Sequence, residues 1–279
     1  MVLKSFAKIN LNLLINKKLK NGLHDLQSIY CLTDLHDKII IKKIKNKHKD
    51  LISFSGPFSI NVSDARNSVK TTLDIMRKYK LISDYYSVNI HKNIPVFAGL
   101  GGGTSNAATI FKNLTNKKIR KKLLNRIFDK IGSDLILFFY KCGYLSNIRI
   151  INKIKYKYKL YFVLIFPNVK CSTRQVYSKL KNYSKKTSYS LKEFSTKIKF
   201  VRIIKDSKND LQSIVEKQHP VIKKVINSLS KAKGCYFSRM TGSGSICYGL
   251  FTDKKCAKVA FKNLRKKYPK FWLSFTKTI

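Results

Sequence analysis

The chain has 279 residues, 44% of them hydrophobic, and its 58 Lys+Arg against 14 Asp+Glu leave a formal charge of +44. That apolar content excludes a disordered basic tail, and no run of about 18 apolar residues offers a membrane-spanning helix. Only nine of the basic residues are Arg and 49 are Lys, strewn along the whole chain as a compositional bias would place them, which argues against nucleic acid as the partner.

In chain order, residues 7–15 alternate cleanly and predict one half-buried strand. Ile9, Leu11, Leu13 and Ile15 take its buried face, and Lys8, Asn10 and Asn12 the other. A polar turn over 17–22 and a second strand over 26–32 follow. Asn67 heads an i, i+4, i+7 pattern of Val69, Leu73 and Met76, which predicts a helix with Asn67 as its N-cap. Residues 88–91 read as a short strand, with Pro95 punctuating the loop after it, and 118–131 as a helix stopped by Gly132. Past an alternating basic stretch at 153–159, an apolar strand at Tyr161–Phe166 ends at Pro167. A helix over 221–231, a glycine turn at 242–244 and a last helix at Lys254–Lys267 complete the chain. The boundary expected near residues 150–160 divides it into domains 1–155 and 156–279. Six Cys without a CxxC pair support neither a zinc site nor a disulfide framework. With strand-like alternation directly after Met1, they lead to the expectation of a cytoplasmic protein without a resident metal.

The most informative segment is PVFAGLGGGTSNAA at 95–108. Gly99, Gly101, Gly102 and Gly103 fill four of five positions, a costly run in backbone entropy. Thr104, Ser105 and Asn106 supply N-cap chemistry for a helix continuing through 107–111. Bare amides at a helix N-terminus form an anion site, and phosphate is its natural guest. No Lys follows Gly103, so this is not a P-loop. Thr104 and Asn106 stand where a dinucleotide fingerprint requires Gly or Ala. A tight packing turn is the reading without a ligand.

This loop closely resembles the phosphate-binding motif of the GHMP kinases (galacto-, homoserine, mevalonate and phosphomevalonate kinases). Further matches follow in family order: SFAKINLNL at 5–13, NGLHDLQ at 21–27, ARNSVK at 65–70, IGSDLILFF at 131–139, FPNVKCSTRQVY at 166–177, KNDLQ at 208–212 and SRMTGSGSICYG at 238–249. The resemblance implies that Asp134 accepts or orients the proton of the attacking hydroxyl. Lys8 would keep that carboxylate ionised and stabilise charge on the transferred phosphate. It implies ATP contacts from Asn67, Pro95, Ala98, Gly99, Leu100, Gly101, Gly102, Gly103, Thr104, Ser105 and Asn106. The amides of 101–103 would cradle the β-phosphate, and the Thr104 and Ser105 hydroxyls would reach phosphate or Mg²⁺. The implied acceptor is a small molecule, a diphosphocytidyl polyol of the non-mevalonate isoprenoid route. Asn10, His24, Thr173, Tyr177, Gly242, Ser243 and Gly244 would bind it, with His24 on the cytosine edge and Tyr177 stacked on the base. Read alone, Lys8 is equally a snorkelling edge residue, and Asp134 and Asn67 simple helix caps.

The fold implied is a two-domain α+β one. Its N-terminal domain resembles domain 2 of ribosomal protein S5, and its C-terminal domain is ferredoxin-like. A monomer or homodimer using ATP and Mg²⁺ is expected, without a covalent enzyme intermediate. Another small-molecule GHMP kinase, or a basic RNA-binding protein on a related fold, are the alternatives. The chain departs from the family pattern at three places: Leu23 replaces the aromatic usual before the His, Ile136 replaces a Pro, and residues 146–148 lack a glycine-rich acidic turn.

Overall fold

The computed structural model describes residues 1–45, 48–62, 67–115, 119, 121–148, 150–155 and 159–279. They form two units drawn from separated stretches. Unit 1 takes Met1–Lys8, Leu35–Val96 and Gly101–Tyr140; unit 2 takes Ile9–Asp34, Phe97–Leu100 and Lys141–Ile279. The chain runs β1 (Val2–Asn10), β2 (Leu14–Lys18), β3 (His24–Ile44), β4 (Leu51–Ser55), α1 (Ser68–Lys78), β5 (Tyr85–His91), α2 (Gly102–Leu114) and α3 (Lys121–Ile131). After a 3-10 turn at Ser133–Phe139 come β6 (Cys142–Asn147), β7 (Ile150–Lys153), β8 (Tyr161–Phe166), α4 (Thr173–Ser178), α5 (Lys197–Asp206), α6 (Gln212–Gln218) and α7 (Pro220–Ser230). The chain closes with β9 (Cys235–Met240), β10 (Cys247–Phe251), α8 (Lys254–Lys267) and β11 (Trp272–Lys277). Residues 65–66 of the ARNSVK match, residues 118 and 120 of the helix expected at 118–131 and part of the 153–159 stretch lie outside the described residues.

In unit 1 the second half of β3 runs antiparallel to β5, from Lys38 opposite His91 to Ile44 opposite Tyr85, and β4 runs parallel to β5. Asn67 caps α1 as expected, its side chain accepting from the Lys70 amide at 2.9 Å. Val69, Leu73 and Met76 are fully buried, each contributing roughly 1.5–3 kcal/mol of transfer free energy. The Phe111 and Phe128 rings join α2 to α3 edge-on at 5.7 Å. Gly132, at φ 153°, stops α3 where expected.

In unit 2 the first half of β3 pairs antiparallel with β2 and β6, and β6 with β7. A separate antiparallel sheet has the order β11-β8-β10-β9. With a helix before β9 and another before β11, this is the βαββαβ arrangement of the ferredoxin-like expectation. Val163 and Ile165 of its strands share a core with Val225 and Leu229 of α7 and Ala257 and Leu264 of α8.

Two strand expectations need correction. Residues 7–15 are not one half-buried strand, because the ladder breaks at Leu11–Asn12 between β1 and β2. There Asn12 Oδ1 accepts from the Ile29 amide at 2.5 Å, while the Leu11 carbonyl accepts from Arg239 Nη1 at 2.6 Å and from the Tyr248 hydroxyl at 2.9 Å. Side chains take over part of what a ladder would do, while the Leu11 amide still donates to the Ile29 carbonyl at 2.7 Å and Leu13 turns to the backbone of Lys208 and Asp210. The face carrying Lys8, Asn10 and Asn12 is also buried. The second strand, expected over 26–32, spans 21 residues as β3.

Candidate active site

The glycine run places the start of α2. Gly101 caps the helix at φ 68°, in the left-handed region, and no side chain caps it. The amides of Gly102, Gly103 and Thr104 therefore open the helix without an i−4 partner, as a phosphate site requires. A Cβ at Gly101 would stand 2.8 Å from Phe138 Cζ and 3.3 Å from Lys8 Cε, so only glycine lets the loop lie against the lysine stem. Lys8, on β1, is 5% exposed. Burial pushes its ammonium below the ordinary lysine range, and the negative charge of Asp134 pulls it back up. Asp134 is itself exposed, in the first turn after Gly132. The structure thus brings Lys8, Asp134 and the glycine cradle together within unit 1. Asn67 reaches the same neighbourhood through Ser68, whose hydroxyl donates to the Gly103 carbonyl at 2.7 Å.

The expected N-cap chemistry of Thr104, Ser105 and Asn106 is corrected, since the helix has already begun at Gly102. The Ser105 hydroxyl donates to the Phe6 carbonyl at 2.7 Å and accepts from Ser5 Oγ at 2.8 Å, which commits it inside the protein. Asn106 accepts from Lys92 Nζ at 3.1 Å and donates to Ser5 Oγ at 2.9 Å and Asp37 Oδ2 at 3.0 Å. Asp37 also pairs with Lys92 and accepts from the amides of Asn93 (2.8 Å) and Ile94 (2.9 Å), so this buried network fastens both ends of the loop. Thr104 is half-buried, and Pro95, Ala98 and Leu100 are buried.

Unit 2 gathers a second cluster. The Ala98 carbonyl accepts from the Ile246 amide at 3.2 Å, and a Cβ on Gly99 would run into the Thr241 carbonyl. Gly242, at φ 58°, leaves no room for a Cβ, which would meet the Gly99 carbonyl at 2.9 Å and Asn10 Oδ1 at 3.4 Å. The Asn10 amide donates to Thr241 Oγ1 at 2.9 Å, and Thr173 and Ser243 share a hydroxyl contact at 2.9 Å. A Cβ on Gly244 would lie 2.7 Å from Met240 Sδ. Asn209 of the KNDLQ match donates to the Gly242 carbonyl at 2.8 Å and so positions the turn. His24 opens β3 with its ring 4.9 Å from that of Tyr177. Burial first, and the Lys18 charge second, hold the imidazole below its ordinary pKa. A cavity of about 660 Å³, lined by Lys179, Lys208, Asp210, Glu216 and Arg239 among others, shares Asn209 with this cluster but takes in none of Asn10, His24, Thr173, Tyr177 and the 242–244 turn.

Comparison with known proteins gives this geometry a family. The description "GHMP kinases N terminal domain" matches residues 67–141, and "GHMP kinases C terminal" matches 194–270. The 4-diphosphocytidyl-2-C-methyl-D-erythritol kinase of Pelagibacter ubique (strain HTCC1062) is 35% identical over 99% of this chain and 98% of its own length. The chain belongs to the GHMP kinases. The like-named protein of Anaplasma marginale (strain Florida) is 30% identical over 96% of this chain and 93% of its own. Among solved structures, 4-(cytidine 5'-diphospho)-2C-methyl-D-erythritol kinase superposes with a TM-score of 0.74 at 20% identity, covering 99% of both chains. Homoserine kinase from Cytophaga hutchinsonii ATCC 33406 gives 0.67 at 16%, covering 100% of this chain and 94% of its own. At such identities both speak for the fold. For a GHMP kinase of this composition, sequence reasoning missed Ser5, Asp37 and Lys92. Nothing separates Lys92 from the other lysines except its place just before the loop, and Asp37 sits in a polar stretch that hid its strand.

Proposed function

We propose that this chain transfers the γ-phosphate of ATP to the 2-hydroxyl of 4-diphosphocytidyl-2-C-methyl-D-erythritol, a step of the non-mevalonate route to isoprenoid precursors. The observation that carries the reading is the buried Lys8, coupled to Asp134 and pressed against the Gly101 cap of α2. Phosphoryl transfer needs positioning and charge stabilisation more than covalent chemistry. The amides of Gly102, Gly103 and Thr104 hold the donor's phosphates. Asp134 orients the acceptor hydroxyl and takes its proton, and the Lys8 ammonium neutralises charge on the moving phosphoryl group. Asn10, Thr173, Ser243 and the 242–244 turn hold the acceptor, and neutral His24 offers both a donor and an acceptor to the cytosine edge.

Mg²⁺ enters with ATP as part of the donor. It needs one or two protein oxygens besides phosphate and water, and Thr104 and Asp134 have the right chemistry, whereas the Ser105 hydroxyl is committed to Phe6. Of the six free cysteines, Cys31, Cys142, Cys171 and Cys247 are buried, in keeping with a reducing cytoplasm as the working compartment.

The test is ADP release from Mg-ATP with and without the acceptor. Release should require the acceptor, and Asp134→Asn should cut kcat by roughly 10²–10⁴-fold while ATP still binds. Release without acceptor, or full activity in that variant, refutes the proposal.

A further inference from the structure

His24 has two tyrosine neighbours. The Tyr177 ring is 4.9 Å away and inclined at 46°; the Tyr183 ring is 6.5 Å away and closer to parallel, at 30°. Tyr183 lies in the irregular stretch between α4 and α5, so neither helix nor strand holds it. Its backbone is nevertheless anchored. The Ser184 amide donates to the Ile15 carbonyl at 2.8 Å, Ser184 Oγ donates to Asp210 Oδ1 at 2.9 Å, and Asn16 Nδ2 donates to the Ser184 carbonyl at 3.1 Å. Three residues on, Thr187 and Gln27 exchange bonds of 2.8 and 2.7 Å. On this fixed backbone the Tyr183 residue stays 44% exposed. A ring whose main chain is already ordered, but whose surface is open, binds a flat partner at little further entropic cost. Leu23, beside His24 in the chain and 46% exposed, is aliphatic and has no π face to offer.

We propose that Tyr183 is a binding residue for the acceptor's base, supplying beside His24 and Tyr177 the second aromatic surface that Leu23 does not. This rests on the acceptor carrying a cytosine, as proposed above. The base stacks on Tyr183 and Tyr177 while the imidazole reads its edge, so Tyr183 favours acceptors with a planar heteroaromatic head.

Two readouts test it: calorimetric titration of cytidine 5'-diphosphate, which needs no turnover, and steady-state kinetics with the full acceptor. Tyr183→Ala should weaken cytidine diphosphate and raise the acceptor KM by roughly five- to a hundredfold, the span of one base–aromatic stack. The KM for ATP and kcat at saturating acceptor should stay at wild-type values. Tyr183→Phe should restore affinity, and Leu23→Ala should leave it unchanged. Unaltered cytidine diphosphate affinity in Tyr183→Ala overturns the assignment, as does a wild-type protein that does not bind this ligand. Binding that depends on Tyr183 in a protein that transfers no phosphate leaves the assignment standing and overturns the kinase reading alone.

Discussion

Lys8 and His24 are both displaced downward, and their displacements read out in opposite directions. Burial holds the Lys8 ammonium below its ordinary value, with Asp134 opposing, so the proton leaves earlier as pH rises. If the charged form stabilises the moving phosphoryl group, kcat should fall on the alkaline side beginning below the ordinary lysine pKa of about 10.4. A kcat flat to about pH 10 would contradict that role. For His24, burial and Lys18 favour the neutral ring. Affinity for cytidine diphosphate should therefore be constant above the ordinary imidazole value of about 6.5 and decline only below it, as protonation removes the acceptor nitrogen. A decline centred at or above that value would mean the ring binds as a cation. Lys8 and His24 could be picked out in the sequence only because motif context surrounds them. Tyr183 could not, because its ring reaches His24 through bonds from Ser184 to Ile15, Asn16 and Asp210 that no local pattern encodes.

At the scale of elements, the glycine loop is held from below by the Asp37–Lys92–Asn106 network, all three side chains being nearly or fully buried. Removing one partner leaves the other charge buried and alone. Asp37→Ala should therefore cost about 3–5 kcal/mol of stability, the usual penalty for breaking a buried pair. The paired replacement Asp37→Asn with Lys92→Met should recover part of that loss. Thermal or urea unfolding of the three proteins checks this, and an Asp37→Ala variant as stable as wild type would mean the pair carries no structural weight. The same residues explain what was legible. α1 could be read because its cap and apolar stripe are local, Asn67 with Val69, Leu73 and Met76, and α8 matches the bounds expected of the last helix, starting after Asp253, which accepts from the Cys256 amide at 2.8 Å. The length of β3 could not. Its middle carries Asp34, which accepts from Thr276 and the Lys277 amide, and Asp37, which accepts from Asn93 and Ile94. Polar residues satisfied by distant partners look like a loop in sequence. Ser105 and Asn106 misled for the same reason: cap chemistry in the sequence serves the interior in the structure.

At the scale of the whole molecule, a division at residue 155 follows the chain, whereas the two contact-defined units share β3 between them. Net charge is the other property that no single element owns. Even if all 14 acids were paired, 44 of the 58 basic residues would lack an acidic partner, and so large an excess sets a positive field around the protein. Both proposed substrates are polyanions, and such a field raises their encounter rate without altering the chemical step. Exposed charges are screened over a Debye length of about 10 Å at 0.1 M salt. Raising ionic strength should therefore lower kcat/KM for ATP and for the acceptor while leaving kcat unchanged. The comparison belongs at matched viscosity and free Mg²⁺, so that only screening varies. A fall in kcat instead would place the salt effect on the chemical step proposed for Lys8 and Asp134. A flat kcat/KM would reduce the lysine excess to composition, leaving the glycines, Lys8 and Asp134 to account for the activity alone.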